Sequence, residues 1–490
     1  MEKIKEVFQY NGEIIGEIDN MPKEVVDKAV EKAKIGFEKW KSYTPYQRSE
    51  ILKKAAELLR KNKEKIAKLL VLEVNKTYQE ALAEVERAIQ TILLSSEETK
   101  RLFGEEVIFE AAPKVKNKKG YYTRVPVGII GAITPFNFPI NLTMHKVAPG
   151  LGAGNAIIVK PSENTSLAPL EVVQLFHEAG VPSETLQVVT GLGGVTGKAL
   201  VENKDVKMIT FTGSVQTGEI IIKTGGLKKY TMELGSNAAL YIDEDQEDRL
   251  REIAKKAKIG AFALAGQVCI SIQRIFVHEK LYEKFLDEFL SEVKNINLGD
   301  PRKLETDMGP VINKEAADRI LDWINQDISK GAKLLLGGRR AKYEEVGLKK
   351  DEVKLENLVK EIDKEFYIYH PCFVVPTVLT NVKDDSNLMT KELFGPGVFV
   401  NKVKDINEAI EKINLSPYGL QAGIYTNNLK HAFKFAQEVE CGGIMINEIP
   451  TFRVDLMPYG GVKNSGIGRE GPRYAMEEMT EIKLICFDLN

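Results

Sequence analysis

One cysteine, Cys269, follows a Gly-Gln-Val triplet inside the apolar stretch Ala261–Ser271. A thiol with a lowered pKa is a good nucleophile, whereas a buried neutral thiol is inert. Taken alone, the residue is equally compatible with a small hydrophobic side chain in the protein core. The other reactive residues and their spacing decide between these two interpretations.

A side-chain amide and a carboxylate lie at two further positions that suit acyl-transfer chemistry. Asn137 is flanked by Pro135 and Pro139, so its amide would be held in a rigid turn, where it can stabilise an oxyanion. Glu233 precedes Gly235 at the end of an apolar strand, and a carboxylate with a raised pKa suits a general base. The alternatives are a turn residue for Asn137 and a capping or ion-paired carboxylate for Glu233.

A phosphate-binding pattern is present only in part. The sequence Gly191-Leu-Gly193 does not extend to Gly-x-Gly-x-x-Gly, because Thr196 occupies the sixth position. The segment Phe211-Thr-Gly-Ser214 follows a strand and opens a helix. Backbone N–H groups at a helix start bind pyrophosphate, so this segment is the candidate phosphate site.

Composition and charge restrict the function classes. A chain of 490 residues is too long for one core and predicts two or three domains. With 68 basic and 70 acidic residues, the net charge of −2 does not indicate nucleic acid or a membrane surface as partner. There is no apolar run of about 18 residues and no apolar leader. The scattered cysteines and histidines predict neither disulfides nor a metal site, so we expect a cytoplasmic protein.

Hydrophobic periodicity predicts the elements that position these residues. Amphipathic helices occupy residues 22–102 and form a helical layer. From residue 127 to 225, and again from 238 to 446, strands alternate with helices at the spacing of doubly wound parallel sheets, which bind ligands at the carboxyl ends of their strands. The basic segment 113–126 is predicted to be an exposed β-arm, which the late strand at 482–487 could pair with.

Four stretches in the same order, those of Cys269, Pro135–Pro139, Met232–Gly235 and Lys391–Pro396, resemble the aldehyde dehydrogenase superfamily over nearly the whole chain. The resemblance implies an α/β fold with two Rossmann-like, doubly wound parallel-sheet domains and a small β oligomerisation arm. The implied NAD(P)-binding domain is 1–112 with 126–234, and the catalytic domain is 235–447. The arm is 113–125 with 472–490, and 448–471 is a substrate loop that returns to the cofactor domain. A homodimer or homotetramer is expected.

The resemblance also implies the reaction, which is NAD(P)-dependent oxidation of an aldehyde to the acid. Cys269 would attack the carbonyl carbon, and the Asn137 amide with the Cys269 backbone N–H would hold the thiohemiacetal oxyanion. Glu233 would activate the water that hydrolyses the thioester. Lys146 and Glu470 carry over as helpers in cofactor or proton handling.

The expected cofactor is NAD or NADP. Gly213 and Ser214 would meet its phosphates, Glu392 and Phe394 the nicotinamide ribose, and Lys160 and Glu163 the adenine ribose. Glu163 favours NAD, whereas Lys160 admits a 2′-phosphate. The full implied set is Thr134, Phe136, Lys160, Glu163, Gly213, Ser214, Glu392 and Phe394.

Two segments depart from the family pattern. Ser236-Asn237 stands where a second glycine and a lysine are usual, which affects the local loop geometry. Residues 341–371 form a charged insertion, for which we expect a surface excursion with a short helix near residues 355–364.

Residues at the expected substrate site limit the class of aldehyde that the protein is expected to oxidise. Ala263 and His145 stand where relatives acting on succinate semialdehyde carry arginines, which argues against a dicarboxylic semialdehyde. Arg453 and Asp455 lie in a loop that resembles archaeal lactaldehyde dehydrogenases. The rival is a non-phosphorylating glyceraldehyde-3-phosphate dehydrogenase, since Arg453 could hold a phosphate, but Val268 replaces an arginine frequent in such enzymes. We expect a small neutral hydroxyaldehyde. Glu233 disfavours a CoA-acylating enzyme, and retention of Cys269 disfavours a non-enzymatic protein.

Overall fold

The computed structural model describes residues 1–490 and opens with an antiparallel hairpin. Its strands are β1 (Lys3–Phe8) and β2 (Glu13–Asp19). Hydrophobic periodicity predicted helices from residue 22 onward, and the hairpin that precedes them was not predicted. Its strands are short and mostly exposed, so their alternation of apolar and polar residues is weak.

Four helices follow the hairpin, at the positions that their periodicity predicted. Two of them begin with a threonine capping box, at Thr44 and Thr77. The elements up to residue 126 are α1 (Lys23–Trp40), α2 (Pro45–Lys61), α3 (Lys63–Val74), α4 (Tyr78–Glu98), β3 (Glu105–Glu106) and β4 (Lys118–Pro126).

The next hundred residues build the first parallel sheet. Its elements are β5 (Ile129–Ile133), α5 (Asn141–Gly152), β6 (Ala156–Lys160), α6 (Leu167–Ala179), β7 (Leu186–Val188), α7 (Lys198–Glu202), β8 (Val206–Thr212), α8 (Val215–Gly225) and β9 (Lys229–Glu233). The five strands lie in the order β9-β8-β5-β6-β7, and all pairs are parallel. Strands β5 and β6 are completely buried, as helices on both faces require.

A second sheet follows, with seven strands in the order β12-β15-β16-β11-β10-β18-β19. All of its pairs are parallel except the edge pair β12–β15. The elements of this region are β10 (Ala238–Ile242), α9 (Leu250–Phe262), β11 (Ile272–His278), α10 (Tyr282–Lys294), α11 (Lys314–Ser329), β12 (Lys333–Leu336), β13 (Arg340–Lys342), α12 (Leu355–Leu358), β14 (Tyr369–Val374), β15 (Thr377–Thr380), α13 (Asn387–Thr390), β16 (Gly397–Val403), α14 (Ile406–Asn414), β17 (Tyr418–Gly419), β18 (Gln421–Tyr425), α15 (Leu429–Glu438) and β19 (Gly443–Ile446).

The C-terminal segment returns to the first sheet. Its elements are β20 (Val462–Lys463), β21 (Gly466–Ile467), α16 (Pro472–Glu478) and β22 (Thr480–Asp488). Strand β21 pairs antiparallel with β9 and extends the first sheet to six strands. Strand β22 pairs with β4 over nine residues, from Thr480 opposite Pro126 to Asp488 opposite Lys118. The predicted pairing of the arm with the C-terminal strand is therefore confirmed.

The charged insertion at 341–371 is more ordered than expected. Helix α12 covers only Leu355–Leu358, so the predicted helix to residue 364 is wrong in its second half. The insertion is also not a plain solvated excursion, because six of its side chains form a small core of their own: Tyr343, Val353, Leu355, Leu358, Val359 and Phe366. It docks on the N-terminal hairpin, where Lys354 N donates to Asn11 O at 2.9 Å and Asn357 Nδ2 to Gly12 O at 2.9 Å.

The chain changes sheets between β14 and β15. Strand β14 ends at Val374 and β15 begins at Thr377, with Pro376 between them. Proline lacks the N–H that a continuous ladder needs, so the chain changes sheets at this point.

Residues at the ends of strands in both large sheets come close together. Glu233 ends β9 at the carboxyl edge of the first sheet, and Cys269 lies three residues before β11 at the amino edge of the second. The expected fold class, two parallel α/β sheets with a small β-arm, is confirmed. None of the helices combines the length and the apolar character of a membrane span.

Candidate active site

The segment that carries Cys269 is an irregular turn with strained backbone. After α9 ends, Leu264 and Ala265 adopt left-handed conformations with φ of 51° and 52°. Such conformations are unfavourable for residues with a Cβ and concentrate at functional sites. Gly266 follows with φ of +70°, and a Cβ there would lie 2.1 Å from Gly395 O. The turn therefore needs glycine at this position, and it brings the partly exposed Cys269 to the cleft.

The side-chain amide of Asn137 lies beside this turn. Its Nδ2 donates to the carbonyl of Gln267 at 2.9 Å, two residues before Cys269. The amide has a second N–H without a partner in the protein, and the backbone N–H of Cys269 likewise donates to no protein acceptor. Two N–H donors, one on Asn137 and one on Cys269, are thus left without an acceptor in the protein on neighbouring segments of the chain, and an oxyanion site needs such donors.

A buried ion pair that the sequence analysis missed fixes the Asn137 loop. Lys76 and Glu84 pair with both side chains completely inaccessible to solvent. Lys76 Nζ also donates to Asn137 O at 2.8 Å. Glu84 Oε1 accepts from Ile140 N at 2.9 Å and from Asn141 N at 3.1 Å at the start of α5. No sequence motif identifies this pair, because the partners are tied to the loop only in three dimensions.

Glu233 is buried and incompletely hydrogen-bonded. Its Oε2 has no hydrogen-bond partner, and a Cβ at Gly460 would lie 2.8 Å from its Oε1. Glycine at 460 therefore makes room for the carboxyl group. Burial, and then the neighbouring Glu470, raise the pKa of Glu233 well above its usual value. This direction agrees with the raised pKa that a general base at this position would need.

The thiol of Cys269 has a raised pKa. Burial raises the pKa of Cys269 to about 11, and a hydrogen bond with Tyr459 and the charge of Arg453 offset only part of this effect. Desolvation therefore outweighs the two groups that stabilise the thiolate.

Tyr459 is the site residue nearest to the sulfur, and the sequence analysis missed it. Its hydroxyl lies 2.9 Å from Cys269 Sγ, and only 3% of the residue is exposed. The guanidinium of Arg453 stacks over its ring, 3.5 Å from the centroid. The one available signal was its position before the Gly460-Gly461 pair, which does not reveal a contact with a cysteine 190 residues away.

A buried charged cluster lies next to these groups. Lys146 Nζ donates to Thr212 Oγ1 and to Glu470 Oε1, both at 2.7 Å. Arg453 Nη2 donates to Glu470 Oε2 at 3.1 Å. Burial opposes ionisation of Glu470, but Lys146, His145 and Arg453 lower its pKa to about 2. Glu470 is therefore a permanent anion between two cations.

The cluster continues to Asp455, which lies at the far side of the cleft. Asp455 pairs with His145 Nε2 at 2.9 Å and with Arg87 Nη2 at 2.7 Å. Burial, followed by Arg453, lowers the pKa of His145. Two buried nitrogens in this cluster have no partner, His145 Nδ1 and Arg453 Nε. Such unpaired donors or acceptors are unfavourable unless a bound group satisfies them.

The expected cofactor residues form two groups that have no hydrogen bond to Cys269. Lys160 ends β6 and pairs with Glu163 at 3.2 Å. Ser214 caps α8 by accepting from Thr217 N at 3.2 Å. Thr134 N donates to Lys160 O at 3.1 Å, so its position is tied to the same strand ends. This first group occupies the carboxyl edge of the first sheet.

The second group lies on the other wall of the cleft. Glu392 Oε1 accepts from Ser236 N at 2.9 Å, and burial raises the pKa of Glu392 to about 7. Phe394 adopts a φ of 48° and packs edge-on against Phe136, with ring centroids 5.8 Å apart. The unusual Asn237 donates to Met389 O at 2.9 Å and so ties this wall together. A dinucleotide fits these groups, which are the helix start at Ser214, the Lys160–Glu163 pair and the carboxylate of Glu392.

The comparisons with known proteins agree with this geometry. The model of the aldehyde dehydrogenase family matches residues 1–352 and 361–485. The chain therefore belongs to the aldehyde dehydrogenase family. The unmatched residues 353–360 fall within the insertion.

Two curated relatives cover almost the whole chain. The 3-sulfolactaldehyde dehydrogenase of Priestia aryabhattai is 42% identical over 488 residues, which is 100% of this chain and 95% of the relative. The lactaldehyde dehydrogenase of Methanococcus aeolicus is 35% identical and covers 97% of this chain and 95% of the relative.

Two solved structures are similar along the full length and contain a cofactor. The glyceraldehyde-3-phosphate dehydrogenase GapN of Methanocaldococcus jannaschii, complexed with NADP, has a TM-score of 0.88 and 35% identity, with 99% of each chain covered. The betaine aldehyde dehydrogenase of Staphylococcus aureus, in complex with NAD+, has a TM-score of 0.91 and 28% identity, with 100% and 92% covered. The protein is an NAD(P)-dependent aldehyde dehydrogenase.

Proposed function

We propose that the protein oxidises a small hydroxyaldehyde, such as lactaldehyde or glyceraldehyde, to the free carboxylic acid. The observation that carries the chemistry is the convergence of three distant segments. The Asn137 amide contacts the turn of Cys269, Tyr459 contacts its sulfur, and Glu233 lies against Gly460, next to that tyrosine.

Oxidation begins when the Cys269 thiol loses its proton to the Glu233 carboxylate and the sulfur bonds to the carbonyl carbon. The carbonyl π electrons move to oxygen, where the Asn137 amide and the Cys269 N–H donate to the oxyanion. Bound NAD(P)+ supplies the acceptor for the hydride that leaves this carbon as the carbonyl re-forms. The product on the enzyme is a thioester of Cys269.

Hydrolysis uses Glu233 a second time. Its carboxylate takes a proton from water while the water oxygen bonds to the thioester carbon, and the carbon–sulfur bond then breaks. Glu233 must first release the proton that it took from the thiol. Lys146 and Glu470 provide a charged, buried path beside it. The free acid leaves, and no CoA is required.

The surroundings of the sulfur support a neutral hydroxyaldehyde. Arg453 is already paired with Glu470 and stacked on Tyr459, so its charge is balanced within the protein. His145 is already bonded to Asp455, and burial lowers the pKa of its imidazole. A dicarboxylic semialdehyde therefore lacks the arginine pair that its second carboxylate would need.

A second candidate is a hydroxyaldehyde with a phosphate or sulfonate at its far end. The observation that favours it is Arg453 Nε, which is buried without a partner close to the sulfur. Relatives named for 3-sulfolactaldehyde and glyceraldehyde 3-phosphate support the same possibility. An anionic substrate would accept a hydrogen bond from Arg453 Nε and would weaken the ion pair between Arg453 and Glu470.

A substrate panel tests both candidates. Lactaldehyde, glyceraldehyde, glyceraldehyde 3-phosphate, 3-sulfolactaldehyde and propanal are compared for NAD(P)H formation, with NAD and with NADP, and with and without CoA. The neutral proposal expects the highest kcat/KM for lactaldehyde or glyceraldehyde. An Arg453→Gln variant should raise KM more for the anionic aldehydes than for the neutral ones. A Cys269→Ala variant that still oxidised aldehydes would disprove the nucleophile.

We also propose that the division into cofactor domain, catalytic domain and arm follows the boundaries given above, and that the protein is a homodimer or homotetramer. The arm strand β22 and the strand β19 are both sheet edges with unpaired backbone groups. Ile482, Leu484 and Phe487 on β22 are about half exposed. An exposed apolar edge favours pairing with a second copy. The cytoplasmic location stays a prediction.

A further inference from the structure

Tyr459 has a single polar neighbour for its hydroxyl group, which is the sulfur of Cys269 at 2.9 Å. A phenol is a stronger hydrogen-bond donor than a thiol, and sulfur is a weak acceptor that improves greatly when it is ionised. The O–H of Tyr459 therefore points at the sulfur. Burial and the adjacent sulfur raise the pKa of Tyr459 well above its usual value, so the phenol keeps its proton.

The cation above the ring strengthens this donor. Arg453 lies 3.5 Å from the ring centroid on one face of Tyr459. A guanidinium over a phenol withdraws electron density and makes the O–H more acidic as a donor. Glu470 holds Arg453 in place by accepting a hydrogen bond from Nη2 at 3.1 Å. The contacts thus run from Glu470 to the Arg453 guanidinium, from the guanidinium to the Tyr459 ring, and from the Tyr459 hydroxyl to the Cys269 sulfur.

We propose that Tyr459 is a further catalytic residue, whose hydroxyl donates a hydrogen bond to Cys269 Sγ and stabilises the thiolate that attacks the aldehyde. The proposal rests on Cys269 being the nucleophile. The charged or titratable groups that face this sulfur are Tyr459, Arg453, Glu392 and Glu233. The first two favour the thiolate and the two carboxylates oppose it. Tyr459 is the member of this set in direct hydrogen-bond contact with the sulfur.

The test removes one oxygen atom and keeps the ring. In Tyr459→Phe the packing and the stacking of Arg453 remain, so only the donor to sulfur is lost. The rate of alkylation by iodoacetamide is measured against pH in the full-length protein without cofactor, and the labelled peptide is identified by mass spectrometry. We expect the thiol pKa to rise by about one unit, which makes alkylation about tenfold slower at pH 7.5. The kcat/KM for the best aldehyde should fall by a similar factor.

The matched control is Tyr343→Phe. Tyr343 is also buried, and its hydroxyl donates to Phe366 O at 3.0 Å within the insertion. This variant should lose some thermal stability and keep the wild-type alkylation profile and kcat/KM. If Tyr459 had only a structural role, Tyr459→Phe would likewise lose some thermal stability and keep the wild-type alkylation profile and kcat/KM.

The outcomes separate this proposal from the proposed function. If Tyr459→Phe matches the wild type in alkylation and kcat/KM while Cys269→Ala is inactive and unlabelled, Tyr459 is not a catalytic residue and Cys269 remains the nucleophile. If Cys269→Ala keeps its activity, the nucleophile assignment fails as well. A slower alkylation of residue 269 with an upward shift of its pH profile in Tyr459→Phe alone supports the donor role.

Discussion

At the level of single residues, burial raises the pKa of both acids of the site. The pKa of Cys269 is raised to about 11, and that of Glu233 well above its usual value. When an ionised Glu233 takes the proton of the Cys269 thiol, the negative charge moves from the carboxylate to the sulfur. The donors around Asn137 and Tyr459 then matter, because they stabilise the negative charge on oxygen and on sulfur.

The first prediction concerns Glu233→Gln. The amide cannot accept a proton from water, so hydrolysis of the thioester should slow and steady-state kcat should fall by about 10²-fold or more. Glu233 acts as a base in its ionised form, and its pKa is raised, so wild-type turnover should increase as pH rises through that pKa. The variant should lose this rise. Rapid-mixing measurements of NAD(P)H formation and a pH profile of kcat record both effects.

Glu361→Gln is the control for this change, since Glu361 is exposed on the insertion. It should keep the wild-type pH profile. Full turnover and an unchanged profile in Glu233→Gln would show that another group activates water.

At the level of elements, a pair of buried carboxyl groups joins the N-terminal hairpin to α3 and α6. Glu6 Oε1 accepts from Ser166 N at 2.8 Å, and Glu73 accepts from Leu167 N and Ala168 N at the start of α6. Glu6 Oε2 has no donor, and the two carboxyl groups face each other. A proton between them is needed to satisfy both groups, and burial raises the pKa of each.

The second prediction follows from this pair. Because both pKa values are raised, the folded protein keeps protons that the unfolded chain releases above its usual glutamate pKa, so stability falls as pH increases above about 4.5. In Glu6→Gln the amide N–H replaces the shared proton. The melting temperature should exceed that of the wild type by a few degrees at pH 8 and differ little near pH 4.5. Thermal unfolding across this pH range measures the effect.

Glu17→Gln serves as the matched control, because Glu17 is an exposed glutamate of the same hairpin. Its melting temperature should follow the wild type at every pH. An equal increase in the melting temperature of Glu6→Gln at pH 4.5 and at pH 8 would mean that Glu6 and Glu73 share no proton.

At the level of the whole molecule, the residues proposed to bind the cofactor come from two sheets that do not share a strand. Ser214 and Glu163 belong to the carboxyl edge of the first sheet, whereas Glu392 follows α13 in the second region. A dinucleotide that contacts both walls would join them and stabilise the folded state in proportion to its affinity.

The third prediction is that NAD or NADP at about 100 times its Kd stabilises the protein by about 2.7 kcal/mol. Glu392→Ala should weaken coenzyme binding about tenfold, because one wall loses its contact with the ribose, and the stabilisation at the same coenzyme concentration should fall by about 1.3 kcal/mol. Thermal shift titrations with each coenzyme measure this. Glu356→Ala, a change to an exposed glutamate of the insertion, should leave the titration unaltered; the same loss in both variants would remove Glu392 from the cofactor site.

The fourth prediction concerns assembly through the β-arm. Ile482→Glu with Leu484→Glu places charges on the half-exposed apolar strand β22, so the oligomer should dissociate. Sedimentation velocity should show the mass of a monomer, about 55 kDa, in place of a dimer or tetramer. Lys483→Glu, on the same exposed strand, is the control and should keep the wild-type mass. A monomeric wild-type protein would contradict the proposed homodimer or homotetramer.

Local sequence patterns determined most of the elements of this protein. The helices from residue 23 to 98 and the alternating units from 129 to 233 follow from hydrophobic period and capping, which act over a few residues. The short motifs around Asn137, Glu233 and Cys269 predicted the candidate reactive side chains, because each chemistry needs one residue type in a defined turn.

Only the tertiary structure decided the ionisation and the environment of these side chains. The pKa of Cys269 depends on desolvation and on Tyr459 and Arg453, which lie more than 180 residues away in sequence. The same is true of Lys76 and Glu84 behind the Asn137 loop, and of the insertion that packs on the N-terminal hairpin. Burial and electrostatic interactions act through space, so a sequence pattern can name the reactive groups but does not set their pKa values.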